Sequence, residues 1–350
     1  MVVSILIFIL MFCIIVVSHE FGHYIIGKRN GIHAAEFFIG VGPKIFSWMH
    51  DGTEFSIRAL PFGGACVFEG MDSLEEEKGI GSDTAFSKAP VWARFATLLA
   101  GPAFNVILAY ILAVILMSQT YVILPEIQTV MEDSAAEEAG LMPGDMITKI
   151  GTHYVHFSEE VSFISMFSKG KPLDITYVRN GQKNRVTLSP KFSAEDQRYY
   201  IGITNGRYEK CGVLDCFRYG FYEVDYAVWS TVQSLRLLFT GALNKDALSG
   251  PVGMVKIVDD TYEETKDYGV GSVVVNMIYI TLLLSANLAV MNLLPIPALD
   301  GGRLVFVLIE AVRGKPVPPE KEGYVHLAGM ALLLILVVFV FFNDITKFFR

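Results

Sequence analysis

Polar residues withdraw from four stretches of the chain, about 2–27, 92–118, 272–294 and 324–342. Each is close to the roughly 20 apolar residues a helix needs to cross a ~30 Å hydrocarbon core. Between the second and third runs the pattern changes. "DITYVRNGQKNRVTLSP" reads as two strands joined at Asn180-Gly181, a type I′ turn signal. Residues 213–245 mix aromatic and polar positions at helical spacing, which suits a helix lying on the outer membrane surface or, equally, a plain packed helix. "LSGPVG" (248–253) ends it. After the first run, "EFSIRALPFGGACVFEG" alternates around central glycines as a hairpin does. It is too apolar for an exposed loop, so it is expected to fold back toward the membrane, where protein or water satisfies its backbone. "MDSLEEEKGIGSD" then reads as a polar connector. The pattern predicts a mainly α-helical membrane protein of about four transmembrane helices, with a membrane-associated β-hairpin and one inserted α+β domain.

Composition agrees: 52% of the 350 residues are hydrophobic, mean hydropathy is +0.44, and the excess is clustered rather than spread as in one large core. A net charge of −8 gives no general basic signature for a nucleic-acid partner. A cleaved signal peptide is not expected, because no basic residue precedes the first apolar run and no small-residue cleavage site follows it. Lys28, Arg29, Lys44, Arg58, Lys88 and Arg94 lie between spans one and two, and Arg303, Arg313, Lys315 and Lys321 between spans three and four. Both loops are then cytosolic, and the N-terminus, residues 119–271 and the C-terminus lie outside. Lys347 and Arg350 oppose this weakly. Cys211 and Cys216 could pair in an oxidising compartment, but four free thiols (with Cys13 and Cys66) is the favoured reading.

The first apolar run continues into "SHEFGH" (18–23). His19 and His23 are i and i+4 on a helix, so both imidazoles project from one face and can hold one zinc ion. Glu20 lies about 100° round the helix, within reach of a metal-activated water as general base. Ser18 is ~25 Å along the helix from Val2, and Lys28 ~15 Å beyond His19. That depth is within the bilayer near its cytosolic side, where unpaired ionisable groups cost at least ~2.5–3.5 kcal/mol. Catalytic zinc takes three protein ligands and keeps an open position. His33, His50, His153, His156 and His326 fall in loops or at span ends. Asp300, in "NLLPIPALDGGR", is the better third ligand. Pro295 and Pro297 break the third span there, Gly301 and Gly302 allow a tight turn, and the depth matches His19 and His23. Alternatively Asp300 caps the helix that follows.

With these motifs in place, the chain resembles the site-2 protease family of intramembrane metalloproteases, in the branch typified by the bacterial regulator of sigma-E protease. The carriers are HEFGH (19–23), GPAFN (101–105), a bacterial PDZ pattern in "SAAEEAGLMPGDMITKIG", SGPVG (249–253) and NLLPIPALDGG (292–302), in the family's order. The resemblance implies His19, His23 and Asp300 as zinc ligands, Glu20 as general acid/base, and Asn105 and Asn292 as substrate-binding groups. It makes the loop at 53–69, with Gly63 and Gly64, an edge strand for an unwound substrate. It divides the chain into a first catalytic part (1–118), an extracytoplasmic PDZ domain (125–192), a surface helix with the SGPVG segment (207–256) and a second catalytic part (272–350). The implied activity is zinc-dependent cleavage of transmembrane segments in a bacterial inner membrane, in regulated intramembrane proteolysis. Substrates would be single-span or signal-peptide-like segments, cut after an upstream protease. One PDZ domain where the best-known branch has two weakens the transfer of a tandem-PDZ size filter. A membrane zinc transporter, or a silent PDZ-bearing scaffold, stays open as an alternative.

Overall fold

A computed structural model describes residues 1–71, 82–194, 196–240 and 250–348. Most of the polar connector after the first loop, and Leu248 and Ser249 ahead of "GPVG", lie outside these residues. The chain divides into two compact units, Met1–Ala113 with Ala227–Arg350, and Val114–Tyr226. Among the described residues four helices are long and apolar enough to cross a membrane: Val2–Arg29, Val91–Gln119, Val270–Asn292 and Glu320–Asp344.

In the first unit, helix α1 (Val2–Arg29) is apolar on all sides, but its buried residues form one stripe that includes Ser4, Phe8, Met11, Ile15, His19, Gly22 and His23. Steps of three and four residues keep that stripe on a single face, so the histidines continue the packing seam of an otherwise lipid-type helix. After α1 the chain forms strands β1 (Ala34–His50) and β2 (Thr53–Phe68), turning at Asp51-Gly52. Residues 36–39 pair on one edge with 54–57 and on the other with 64–67. The two limbs expected to form a hairpin therefore flank a third strand. The sequence reading missed that strand because "AAEFFIGV", although preceded by the turn at Asn30-Gly31, has no clean apolar-polar alternation.

Helix α2 (Val91–Gln119) carries Pro102 inside it. Later in the unit come the second half of α5 (Val213–Phe239), α6 (Pro251–Thr265), α7 (Val270–Asn292), α8 (Asp300–Arg313) and α9 (Pro319–Phe348). Thr231 of α5 donates to the amide oxygen of Asn287 on α7. This half of α5 thus packs on α7, and one of the asparagines in the third apolar run gains a protein partner. Asp344 of α9 is buried and accepts the Gly250 and Gly253 N–H groups, both at 2.9 Å. It satisfies free donors at the start of α6. Val258 of α6 packs on Phe8 and Met11 of α1.

The second unit holds a sheet in the order β10-β3-β4-β6-β7. Its strands are β3 (Tyr121–Val130), β4 (Met146–Ile150), β6 (Leu173–Arg179), β7 (Gln182–Leu188) and β10 (Ile203–Lys210). The short β5 (His153–Tyr154) pairs with β4, and β8 (Lys191–Ser193) pairs with β9 (Arg198–Tyr200). The core is Ile127, Ala136, Ile147, Val161 and Ile175, under α3 (Ala135–Glu138) and α4 (Ser158–Phe167). Asn180 and Gly181 both take positive φ, 50° and 76°, as a type I′ turn requires. Strand pairing runs from Tyr121 to Lys210, which are direct partners. The 125–192 range expected for the PDZ domain does not include β10, whose "ITNGRYEK" shows little apolar alternation. Cys211 and Cys216 are free thiols. The first half of α5 stacks Tyr222 on His156, ring centroids 3.7 Å apart. Glu223 beside them is buried, and burial with the nearby Glu159 and Glu160 pushes its carboxyl up to about 8.

Candidate metal centre

His19 and His23 of α1 meet Asp300, the first residue of α8. Helix α7 stops at Asn292, and residues 293–299 turn the chain back through Pro295 and Pro297. Ala298 takes φ +78° in this turn, and its N–H donates to His326 Nδ1 at 3.0 Å. A Cβ on Gly301 would come within 2.2 Å of the Leu294 carbonyl, so only glycine lets α8 begin this close to the turn. The helix-cap alternative for Asp300 does not hold: the residue at the cap position is Leu299, with no side-chain cap bond. The Asp300 carboxylate is free to face the histidines.

His19 Nε2 and Asp300 Oδ2 are 3.0 Å apart, His23 Nε2 and Asp300 Oδ2 3.3 Å, and the two Nε2 atoms 3.2 Å. Both imidazoles are 7% exposed, and Asp300 Oδ2 is buried without a hydrogen bond. Zinc bonds of about 2.0–2.1 Å in a tetrahedron put neighbouring ligand atoms about 3.3 Å apart. The trio therefore has the edge lengths of three corners of a zinc site. Two buried imidazole nitrogens and a carboxylate oxygen converging on one point suit a bound cation. Among the described residues this is the one group of three or more His, Cys, Asp or Glu side chains arranged to hold a metal.

The surroundings fix each ring. The Thr97 carbonyl on α2 lies 2.8 Å from His23 Nδ1. It accepts the ring proton there and leaves the Nε2 lone pair for the metal. No residue type announces this contact, because a backbone carbonyl can belong to any residue. Asn105 Nδ2 lies 3.4 Å from His19 Nδ1, and Asn292 Nδ2 lies 3.4 Å from His19 Nε2. Asn292 thus borders the metal position, whereas Asn105 is fully buried and lies behind the His19 ring. Ser285 of α7 holds the Asn105 carbonyl at 2.8 Å. The GPAFN glycine has a steric reason: a Cβ on Gly101 would sit 2.3 Å from His23 Nε2 and 2.8 Å from His19 Cε1.

Glu20 projects from the neighbouring face of α1. Its Oε2 accepts the Cys66 N–H at 2.9 Å, so the outer strand of the sheet (64–68) runs beside it. Gly64 is in that strand, and Gly63 precedes it with φ +79°. The five histidines set aside in the sequence do not join the centre. His326 supports the turn before Asp300 rather than binding beside it.

Comparison with known proteins gives a match to the family model described as peptidase family M50 over residues 7–336. A relative in Clostridium acetobutylicum is 33% identical over 98% of this chain and 97% of its own. The zinc metalloprotease RasP of Oceanobacillus iheyensis is 31% identical, over 98% of each chain. The regulator of sigma-W protease RasP of Bacillus subtilis is 30% identical, over 99% of each.

Proposed function

The chain belongs to peptidase family M50, the site-2 proteases, and is a membrane zinc metalloprotease; on that premise we propose that His19, His23 and Asp300 hold its zinc and that Glu20 carries the proton in hydrolysis of a peptide bond within a transmembrane segment. The observation that carries this reading is the 3.0–3.3 Å spacing of the three donor atoms. Zinc supplies Lewis acidity to a scissile carbonyl and makes a water acidic near pH 7.

The chain's own groups supply the rest. Glu20 takes a proton from the attacking water and returns it to the leaving amide nitrogen as the C–N bond breaks. The Cys66 N–H fixes one of its oxygens, which leaves Oε1 for proton transfer. The Asn292 amide beside His19 Nε2 is suited to hold the substrate backbone next to the metal. A helical substrate shields its peptide bonds with its own hydrogen bonds, so it has to unwind. The outer strand at 64–68, with Gly63 and Gly64, offers the extended segment a partner by strand addition.

The charge pattern of the loops supports an inner-membrane orientation with the N-terminus, residues 119–271 and the C-terminus outside and the metal centre near the cytosol. Single-span proteins and signal-peptide-like segments, shortened by an upstream protease, fit such a site. The name of the Bacillus subtilis relative supports a regulatory role for the cut.

The test is incubation of the purified protein with a labelled single-span substrate, alongside metal analysis. Glu20→Gln should keep the zinc and lose nearly all cleavage; Asp300→Ala should lose both together. Asp300→Ala with full zinc and full turnover would refute the ligand assignment. Bound zinc without cleavage by the unaltered protein would favour a transporter or a scaffold.

A further inference from the structure

The ring of His23 is oriented by a visible acceptor, the Thr97 carbonyl. Among the described residues, the polar group facing His19 Nδ1 is the Asn105 side chain. A histidine that gives its Nε2 lone pair to a metal keeps its proton on Nδ1 and needs an acceptor there. The group facing His19 Nδ1 is the Asn105 side-chain amide at 3.4 Å, nitrogen first, while its Oδ1 is buried with no partner. Two donors facing each other repel, and an orphaned buried acceptor costs about 1–3 kcal/mol. A half-turn about the Cβ–Cγ bond exchanges two atoms of nearly equal size and puts Oδ1 against Nδ1–H.

Two further observations define the residue's role. Asn105 is 0% exposed, so a substrate could not reach it without repacking α1, α2 and α7. Its backbone carbonyl is held by Ser285 at 2.8 Å, which fixes the amide's position from a third helix. We infer that Asn105 is a positioning residue: its side-chain oxygen accepts the Nδ1 proton of His19 and so sets the tautomer and orientation of that zinc ligand, and it does not contact substrate. The inference rests on His19 being a ligand.

The test measures zinc affinity of the full-length protein by competition with a chelator, in Asn105→Asp and Asn105→Leu. The aspartate keeps an acceptor and lacks any donor; the leucine has the shape without the acceptor. Asn105→Asp should bind zinc at least as tightly as the unaltered protein, and Asn105→Leu about 10–100-fold more weakly. A second readout does not depend on how well the leucine variant folds. In zinc-loaded protein with labelled histidine, the His19 Nδ1–H proton signal should move downfield in Asn105→Asp, with the His23 signal, bonded to Thr97, as unmoved reference. Zinc affinity unchanged in both variants, with only kcat/KM reduced, would overturn the inference and return Asn105 to substrate contact. An unshifted His19 signal in Asn105→Asp would overturn it as well. The two readings fail separately, since only Asp300→Ala retaining zinc removes the ligand set itself.

Discussion

Gly101→Ala tests how little space the metal centre leaves. The new methyl would lie 2.3 Å from His23 Nε2, 2.6 Å from its Cε1 and 2.8 Å from His19 Cε1. Ordinary carbon contacts begin near 3.5 Å, so either the rings or helix α2 must move by about 1 Å. Ligand distances tolerate only about ±0.2 Å, and both histidines are struck at once. Overpacking of this kind costs typically about 1–3 kcal/mol of stability, and a 1 Å misplacement of reacting groups costs about 10²-fold in rate. The variant should therefore be membrane-inserted, zinc-poor and at least about a hundredfold slower in single-turnover cleavage of a labelled single-span substrate. The control is Gly271→Ala in the first turn of α7, where an added Cβ meets nothing within 4 Å. It should keep zinc and activity, and helix propensity favours it by up to about 1 kcal/mol. Stoichiometric zinc and normal cleavage in Gly101→Ala would refute the close packing of α2 against both imidazoles.

Two further predictions concern the second unit. The Glu223 carboxyl titrates near 8 when folded, above its ordinary value, so the folded state holds a proton that the unfolded state has released. Its stabilising contribution is complete below the ordinary glutamate range and is lost as pH rises through about 8. Hydrogen exchange over 213–226, corrected for intrinsic rates, should speed up between pH 6 and 9, and Glu223→Gln should flatten that dependence; a flat profile in the unaltered protein would refute it. Because Tyr121 and Lys210 are paired strand residues, replacing 121–210 by a short Gly-Ser linker should leave the remaining chain zinc-loaded and able to cleave a short substrate. Loss of zinc on that excision would make the module part of the catalytic unit.

The metal centre was legible in the sequence where helix geometry alone decides. The i, i+4 spacing fixes His19 and His23 on one face, and the broken third span brings Asp300 to their depth. What escaped depends on contacts that no residue type announces. The Thr97 carbonyl that orients His23 is backbone. Asn105 is polar and sits in a motif, but only packing shows that it lies behind His19. The strand at 36–39 separates the two limbs read as a hairpin, and its "AAEFFIGV" lacks the alternation that would mark a strand. Strand β10 is mostly polar after Ile203, so its side-chain pattern does not announce its pairing with β3.

The Cys66 amide that reaches Glu20 belongs to the outer strand of the sheet, and on the proposed reading that strand recruits through groups every residue shares. An enzyme that receives its substrate this way is largely blind to the letters of the segment it cuts. Discrimination by such an enzyme would rest on how readily a segment can be unravelled rather than on its sequence.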